Sequence, residues 1–193
     1  MAGPIRSFIA IELPDGVRAR IKALQDSFKS YRLNIRWVDP DNIHLTLKFL
    51  GNISEGEIEK VAGALSAGVG PFAPLSLCAR GMGAFPGLKR PRVIWVGIGG
   101  QAAGLSALQK ALDNHLAAAG FKPEERPFKG HLTIGRVKGA LSTALFREAL
   151  KAGLGFETDP FTAAGVSLFK SELSPGGAVY SRLVTVPMGK QPA

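Results

Sequence analysis

An α+β fold is predicted by three features of the chain. Alternating and helically spaced apolar residues succeed one another in the order β-α-β-α-β-β and then α-β-α-β-β, hairpin turns join the closing strands, and one strand pattern, His44-Leu-Thr-Leu47, returns as His131-Leu-Thr-Ile134. Helices segregated onto hairpin-rich sheets imply α+β architecture. No shift of composition marks a linker, so residues 1–193 read as a single domain, and the repeated strand pattern suits two similar sheet-plus-helix lobes facing one another.

Taken in order, Ser7 to Leu13 is a short strand stopped by Pro14-Asp15-Gly16. Ile21, Leu24 and Phe28 then fall at helical spacing between Val17 and about Phe28. Ile35 to Val38 is a strand edge ended by Asp39-Pro40-Asp41-Asn42. His44 to Leu50 alternates clearly and Gly51 closes it. Ser54 with Glu57 three residues on is a capping box that starts a helix from Glu55 to about Ala67. Ala73 to Arg80 reads as a strand, Gly81 to Pro91 as a Gly/Pro-rich basic loop, and Arg92 to Ile98 as a strand broken by Gly99-Gly100. Leu105, Leu108, Leu112 and Leu116 mark a third helix reaching about Ala119, with Gly120 at its end and His115 within it as a structural histidine. A strand from His131 to Val137, a helix from Ser142 to Ala152, and strands from Phe161 to Lys170 and Ala178 to Val186 complete the chain. Ser174-Pro175-Gly176-Gly177 turns between the last two.

Composition narrows the function. With 46% hydrophobic and 20% charged residues the chain is globular rather than disordered. No apolar run approaches the roughly 18 residues that cross a bilayer, and Met1 to Arg6 lacks the core of a secretory signal, so a cytoplasmic location with no membrane partner is expected. Cys78 is the single cysteine, which excludes an intrachain disulfide and a multi-cysteine zinc site; Leu75 and Leu77 beside it point to a buried thiol. The 24 Lys and Arg against 15 Asp and Glu, a formal charge of +9, favour a polyanionic partner, with nucleic acid the leading class.

On a strand, residues i and i+2 share a face, so His44 and Thr46 point one way while Leu45, Leu47 and Phe49 pack inward. The same parity joins His131 to Thr133 and buries Leu132 and Ile134. Lys48 continues the first polar face; Gly135 takes that place in the second copy, and Arg136 reaches the same pocket only if the strand ends or bulges near the glycine. Two imidazoles and two hydroxyls facing one cleft suit hydrolysis of a phosphodiester without metal. One neutral histidine takes a proton from water while the other, protonated, gives one to the leaving ribose oxygen. Thr46 and Thr133 donate to the non-bridging oxygens, and Lys48 and Arg136 add positive charge. Neither copy supplies a Cys, Asp or Glu at i+2 or i+4 as a third metal ligand, so no metal or other cofactor is expected.

These residues resemble the two-histidine phosphoesterase superfamily, defined by paired His-x-Thr/Ser-x motifs, and within it the bacterial and archaeal RNA 2′,3′-cyclic phosphodiesterases, also called 2′-5′ RNA ligases. Arg6-Ser-Phe-Ile-Ala10, Ile35-Arg-Trp-Val38, His44 to Gly51, Phe85-Pro86, Pro91-Arg-Val-Ile-Trp95, His131 to Arg136, Leu168-Phe-Lys-Ser171 and Tyr180 carry the likeness over nearly the full chain. The resemblance implies a bilobal fold with both motifs in a central cleft, no metal, and opening of a terminal cyclic phosphate to a 2′-phosphate. His44 would be the proton donor to the 3′ oxygen, His131 the base for water, and Thr46 and Thr133 the phosphate holders. Gly130 stands where the family pattern has proline, and Gly135 where alanine is common. Beside the cleft, Lys89, Arg90 and Arg92 are candidates for upstream RNA phosphates, and Phe8, Trp37 or Tyr180 for stacking on a base. Three alternatives stand: ligation, the reverse reaction with exchanged histidine roles; an RNA- or nucleotide-binding module without chemistry; and a cyclic phosphodiesterase for small nucleotides, against which the positive charge leans towards longer RNA. No obligate protein partner is indicated, and a monomer is expected.

Overall fold

The computed structural model describes residues 3–174 and 177–189. The strands are β1 Ile5–Glu12, β2 Ile35–Trp37, β3 His44–Ile53, β4 Leu75–Phe85, β5 Val93–Gly100, β6 His131–Val137, β7 Phe161–Ala163, β8 Gly165–Ser174 and β9 Gly177–Pro187. The helices are α1 Asp15–Lys29, α2 Glu55–Val69, α3 Ala102–Ala118 and α4 Thr143–Gly153, and a 3-10 turn at Pro40–Asn42 precedes β3. All pairings are antiparallel along the path β7-β4-β5-β6-β3-β1-β8-β9, with β2 beside β6.

The helices form where apolar spacing and caps demand them. In α1, Val17, Ile21, Leu24 and Phe28 are buried on one stripe. At the start of α2 the Ser54 backbone N–H and hydroxyl donate to the Glu57 carboxylate at 2.7 and 2.8 Å, the capping box read from the sequence. Apolar residues from all four helices share one core with Ile9, Ile11, Leu45, Leu47, Ile94, Val96, Leu132 and Ile134 of the sheet. Residues of opposite parity on β1 and β8, Phe8, Ala10 and Phe169, make a separate small cluster with Tyr180 on the other face.

The two halves meet along a narrow seam where Leu45 pairs with Leu132, both fully buried. The expected single strand from Phe161 to Lys170 divides at Ala164: β7 pairs with β4 at one end of the path, and β8 pairs with β1 in the other half. One residue thus joins strands from opposite ends of the path, which requires the sheet to curl. The segment from Gly81, expected as loop, continues β4 to Phe85 through a register shift at Gly81, whose φ of +64° suits a glycine bulge. Gly99-Gly100 does not break β5, because both residues pair with β4. The turn expected at residues 174–177 lies partly outside the described residues.

Cys78 is buried and free, its thiol pushed up by burial and then by Glu157. His115 lies on α3, beside Gly68 of α2 on the helix side of the sheet. Among the described residues no helix is long and apolar enough to cross a membrane.

Candidate active site

The register at the seam builds the site. With Leu45 opposite Leu132, antiparallel pairing puts His44 across from Thr133 and Thr46 across from His131. All four side chains share the face away from the helices, around a local two-fold axis through the leucine pair. Each imidazole is held the same way: His44 Nδ1 lies 2.9 Å from the Asn42 carbonyl and His131 Nδ1 lies 2.7 Å from the Lys129 carbonyl. A carbonyl only accepts, so Nδ1 carries the proton in both rings and Nε2 is the nitrogen left for chemistry.

A bulge follows the threonine in each copy. Ala10 pairs with Thr46 but Ile9 with Lys48, which leaves Leu47 extra; Trp95 pairs with Thr133 but Ile94 with Gly135, which leaves Ile134 extra. The carbonyls of these two residues are met by buried glutamines that the motif-based reading of the sequence misses. Gln25 of α1 donates to the Ile134 carbonyl at 2.9 Å and to that of Val38 at 2.7 Å, and Gln109 of α3 donates to the Leu47 carbonyl at 3.4 Å. Each glutamine interrupts an apolar helical stripe, beside Leu24 and Leu108, which is the signal that could have found it.

Past each bulge the parity reverses, and this corrects two expectations. Lys48 does not reach the phosphate side. It turns into the helix layer, where its ammonium pairs with Asp113 and donates to the Lys122 carbonyl at 2.7 Å. Phe49, expected inside, emerges on the cleft face with 68% of its surface exposed. In the second copy the same reversal sends Gly135 inward, where a β-carbon would lie 2.8 Å from Ile35 and 3.2 Å from Trp37, and brings Arg136 out beside Val93 on the cleft face. A β-carbon on Gly130 would meet the end of the Leu105 side chain at 3.1 Å, a contact the leucine would have to ease by a few tenths of an ångström.

Aromatic rings wall both histidines. Phe8 stacks on His44 with centroids 4.5 Å apart, and Tyr180 presents its edge at 5.2 Å. This burial pushes His44 down to about 4, against a weaker opposing effect of its bond to Asn42. A cavity of about 140 Å³ lined by Glu12, Arg18, Asp41, Asn42 and Tyr180 adjoins the ring. His131 meets Phe85 edge-on at 5.0 Å, with Trp95 at 6.5 Å, and the Lys129 ammonium sits 4.7 Å over the Trp95 ring. Phe85, Trp95 and Lys129 are not among the site residues expected from the sequence, although Phe85 and Trp95 stand in segments that carry the family likeness; for Phe85 the Gly/Pro-rich surroundings hide the strand that carries it.

The remaining candidates divide. Phe8 is 3% exposed and covered by His44, Phe169 and Tyr180, so it supports the histidine and offers no face to a base. Trp37 packs on Phe28 and over Gly135 on the helix side, away from the cleft. Tyr180 is half-buried on the cleft face. Lys89 and Arg90 are exposed in the β4–β5 connection. Arg92 extends the ladder by one position, donating its N–H to the Phe85 carbonyl, and alternation gives its side chain the opposite side from Arg136. Among the described residues no three His, Cys, Asp or Glu side chains converge as a metal site would require.

The family model described as LigT like Phosphoesterase matches the chain twice, over residues 11–95 and 96–180, one histidine motif in each. An RNA 2′,3′-cyclic phosphodiesterase of Methanothermobacter thermautotrophicus is 34% identical over 92% of this chain and 95% of its own length. One from Thermotoga maritima is 32% identical over 93% of both. Among solved structures, a Thermus thermophilus protein superposes with a TM-score of 0.79 at 26% identity, over 97% of this chain and all of the other. Apo E. coli LigT matches in fold with a TM-score of 0.74 at 24% identity, over 98% of this chain and all of its own.

Proposed function

The chain belongs to the LigT-like phosphoesterase family, and from that premise and the geometry of its cleft we propose that it opens the 2′,3′-cyclic phosphate at an RNA end to a 2′-phosphate, without metal. The observation that carries this reading is the pair of imidazoles, each tethered at Nδ1 by the carbonyl two residues upstream, each facing the other copy's threonine across the Leu45–Leu132 pair. A cyclic phosphate seated between them meets one Nε2 on the side of the entering water and the other on the side of the departing 3′ oxygen, as in-line displacement needs. Thr46 and Thr133 donate to the non-bridging oxygens, where charge grows in the transition state.

Water loses its proton to His131, the O–P bond forms, the P–O3′ bond breaks, and His44 protonates O3′. The next turnover starts when His131 has lost its proton and His44 has regained one, by direct transfer or through solvent. Burial keeps His44 neutral in the empty cleft, so the bound phosphate anion has to restore its charge before it donates.

The test is to incubate the protein in EDTA with a short oligoribonucleotide ending in a 2′,3′-cyclic phosphate and identify the terminal product, with His44→Ala and His131→Ala in parallel. A 2′-phosphate from the wild type, with each variant slowed by about 10²-fold or more, supports the reading. A 3′-phosphate product, activity abolished by EDTA, or binding without turnover overturns it.

A further inference from the structure

Arg36 of β2 pairs directly opposite Arg136 of β6. Residues opposite each other in an antiparallel pair project to the same face with β-carbons about 5 Å apart, and like charges in that arrangement repel. Arg36 faces the cleft because its neighbours Ile35 and Trp37 both fill the space over Gly135 on the helix side. Its guanidinium reaches the β8–β9 hairpin, where a β-carbon on Gly177 would lie 3.7 Å away, and the same hairpin sets Tyr180 against His44 and accepts a bond from Asn42 at Ala178. Among the described residues neither Arg36 nor Arg136 has a carboxylate within 4 Å, which they share with other exposed basic residues such as Lys89, Arg90 and Arg92; what sets them apart is that they face each other on the cleft side.

Two exposed arginines paired opposite each other on one face, with no carboxylate within 4 Å among the described residues, make a ready site for a bridging anion. Its place says which anion. Arg136 lies two pairing positions beyond Thr133, about 7 Å along the strand from the group assigned to the cyclic phosphate, the scale of one nucleotide step. We infer that Arg36 and Arg136 clamp the phosphodiester immediately 5′ of the terminal ribose, so that the substrate is an oligonucleotide end of at least two nucleotides rather than a lone cyclic mononucleotide. This rests on the phosphodiesterase reading above and extends it by one subsite.

The experiment compares kcat/KM for a dinucleotide ending in a 2′,3′-cyclic phosphate with that for the matching 2′,3′-cyclic mononucleotide bearing a free 5′-hydroxyl, in EDTA at low salt. The wild type is expected to prefer the dinucleotide. Arg36→Ala is expected to lower the dinucleotide-to-mononucleotide ratio about tenfold, and Arg36→Lys to keep part of the preference, because charge stays while the planar fork is lost. The dinucleotide rate should also fall less steeply with salt in Arg36→Ala than in the wild type. A ratio within twofold of the wild type in Arg36→Ala overturns the clamp, including the case where both substrates slow equally, which would place Arg36 on the cyclic phosphate itself. A wild type indifferent to the 5′ phosphodiester overturns it as well. A wild type that opens neither substrate overturns the phosphodiesterase reading, and the clamp with it.

Discussion

His44 should make the protein's stability depend on pH in a narrow window. Its ring is walled by Phe8 and Tyr180, and that burial lowers it from 6.5 to about 4. The folded form therefore resists a proton that the unfolded chain accepts. Stability is fully present above about pH 6.5, declines as the pH falls towards 4, and loses nothing further from this group below that. At about 1.4 kcal/mol per unit, the gap amounts to roughly 3 kcal/mol at pH 4. Urea unfolding of the wild type and of His44→Gln at pH 7.5 and pH 4 isolates the effect, because every other titrating group is common to both proteins. The wild type should lose roughly 3 kcal/mol more than the variant over that interval. NMR titration of the His44 ring should give a midpoint well below 6. A ring titrating at or above 6.5, or equal losses in the two proteins, would refute the claim that burial controls this histidine.

Two further outcomes follow from the supports beneath the motifs. Lys48→Met strands the largely buried Asp113 carboxylate and should cost about 3–5 kcal/mol in urea unfolding, whereas adding Asp113→Leu should recover most of it, as expected for a buried ion pair. Gln25→Leu deprives the Ile134 and Val38 carbonyls of a donor, at a cost of about 1–3 kcal/mol. If Gln25 also holds the bulge that aims Thr133 and Arg136, kcat should fall while the pH profile keeps its shape, and Gln25→Glu should not restore it, since a carboxylate cannot donate.

Much of this site can be read from the chain, and what cannot has one physical cause. Histidine and threonine two residues apart share a strand face whatever the strand pairs with, so both motifs are visible as polar faces over Leu45 and Leu132. Parity beyond Thr46 and Thr133 is not, because a bulge belongs to the register between two strands and not to either strand alone. Hence Lys48 and Phe49 are each expected on the other's side, while Arg136 reaches the cleft by the bulge considered for it. The same limit hides Arg36, which matters only because β2 lies beside β6, and the break at Ala164, where the alternation of Phe161 to Lys170 continues but the pairing partner changes. The capping box of α2 is legible because both its partners lie within one turn.

The duplication accounts for the likeness of the two sites, and departures from it set them apart. On the proposed reading an acid and a base sit alike about the phosphate, one on each side. Two copies of one strand motif, each with its Nδ1 tether and a glutamine-held bulge, supply the likeness. The surroundings supply the difference: His44 lies flat against Phe8, whereas His131 has Phe85 at its edge and the Lys129 ammonium over the neighbouring Trp95. Beyond the bulges the same contrast recurs, Phe49 standing in the first copy where Arg136 stands in the second. An RNA end brings both a charged backbone and bases to such a cleft, and with an arginine at one end of the local two-fold and an exposed aromatic ring at the other, the two directions of binding are no longer equivalent. On this reading, exchanging Phe49 and Arg136 should impair turnover of oligonucleotides more than of cyclic mononucleotides, since the shorter substrate has less backbone to orient.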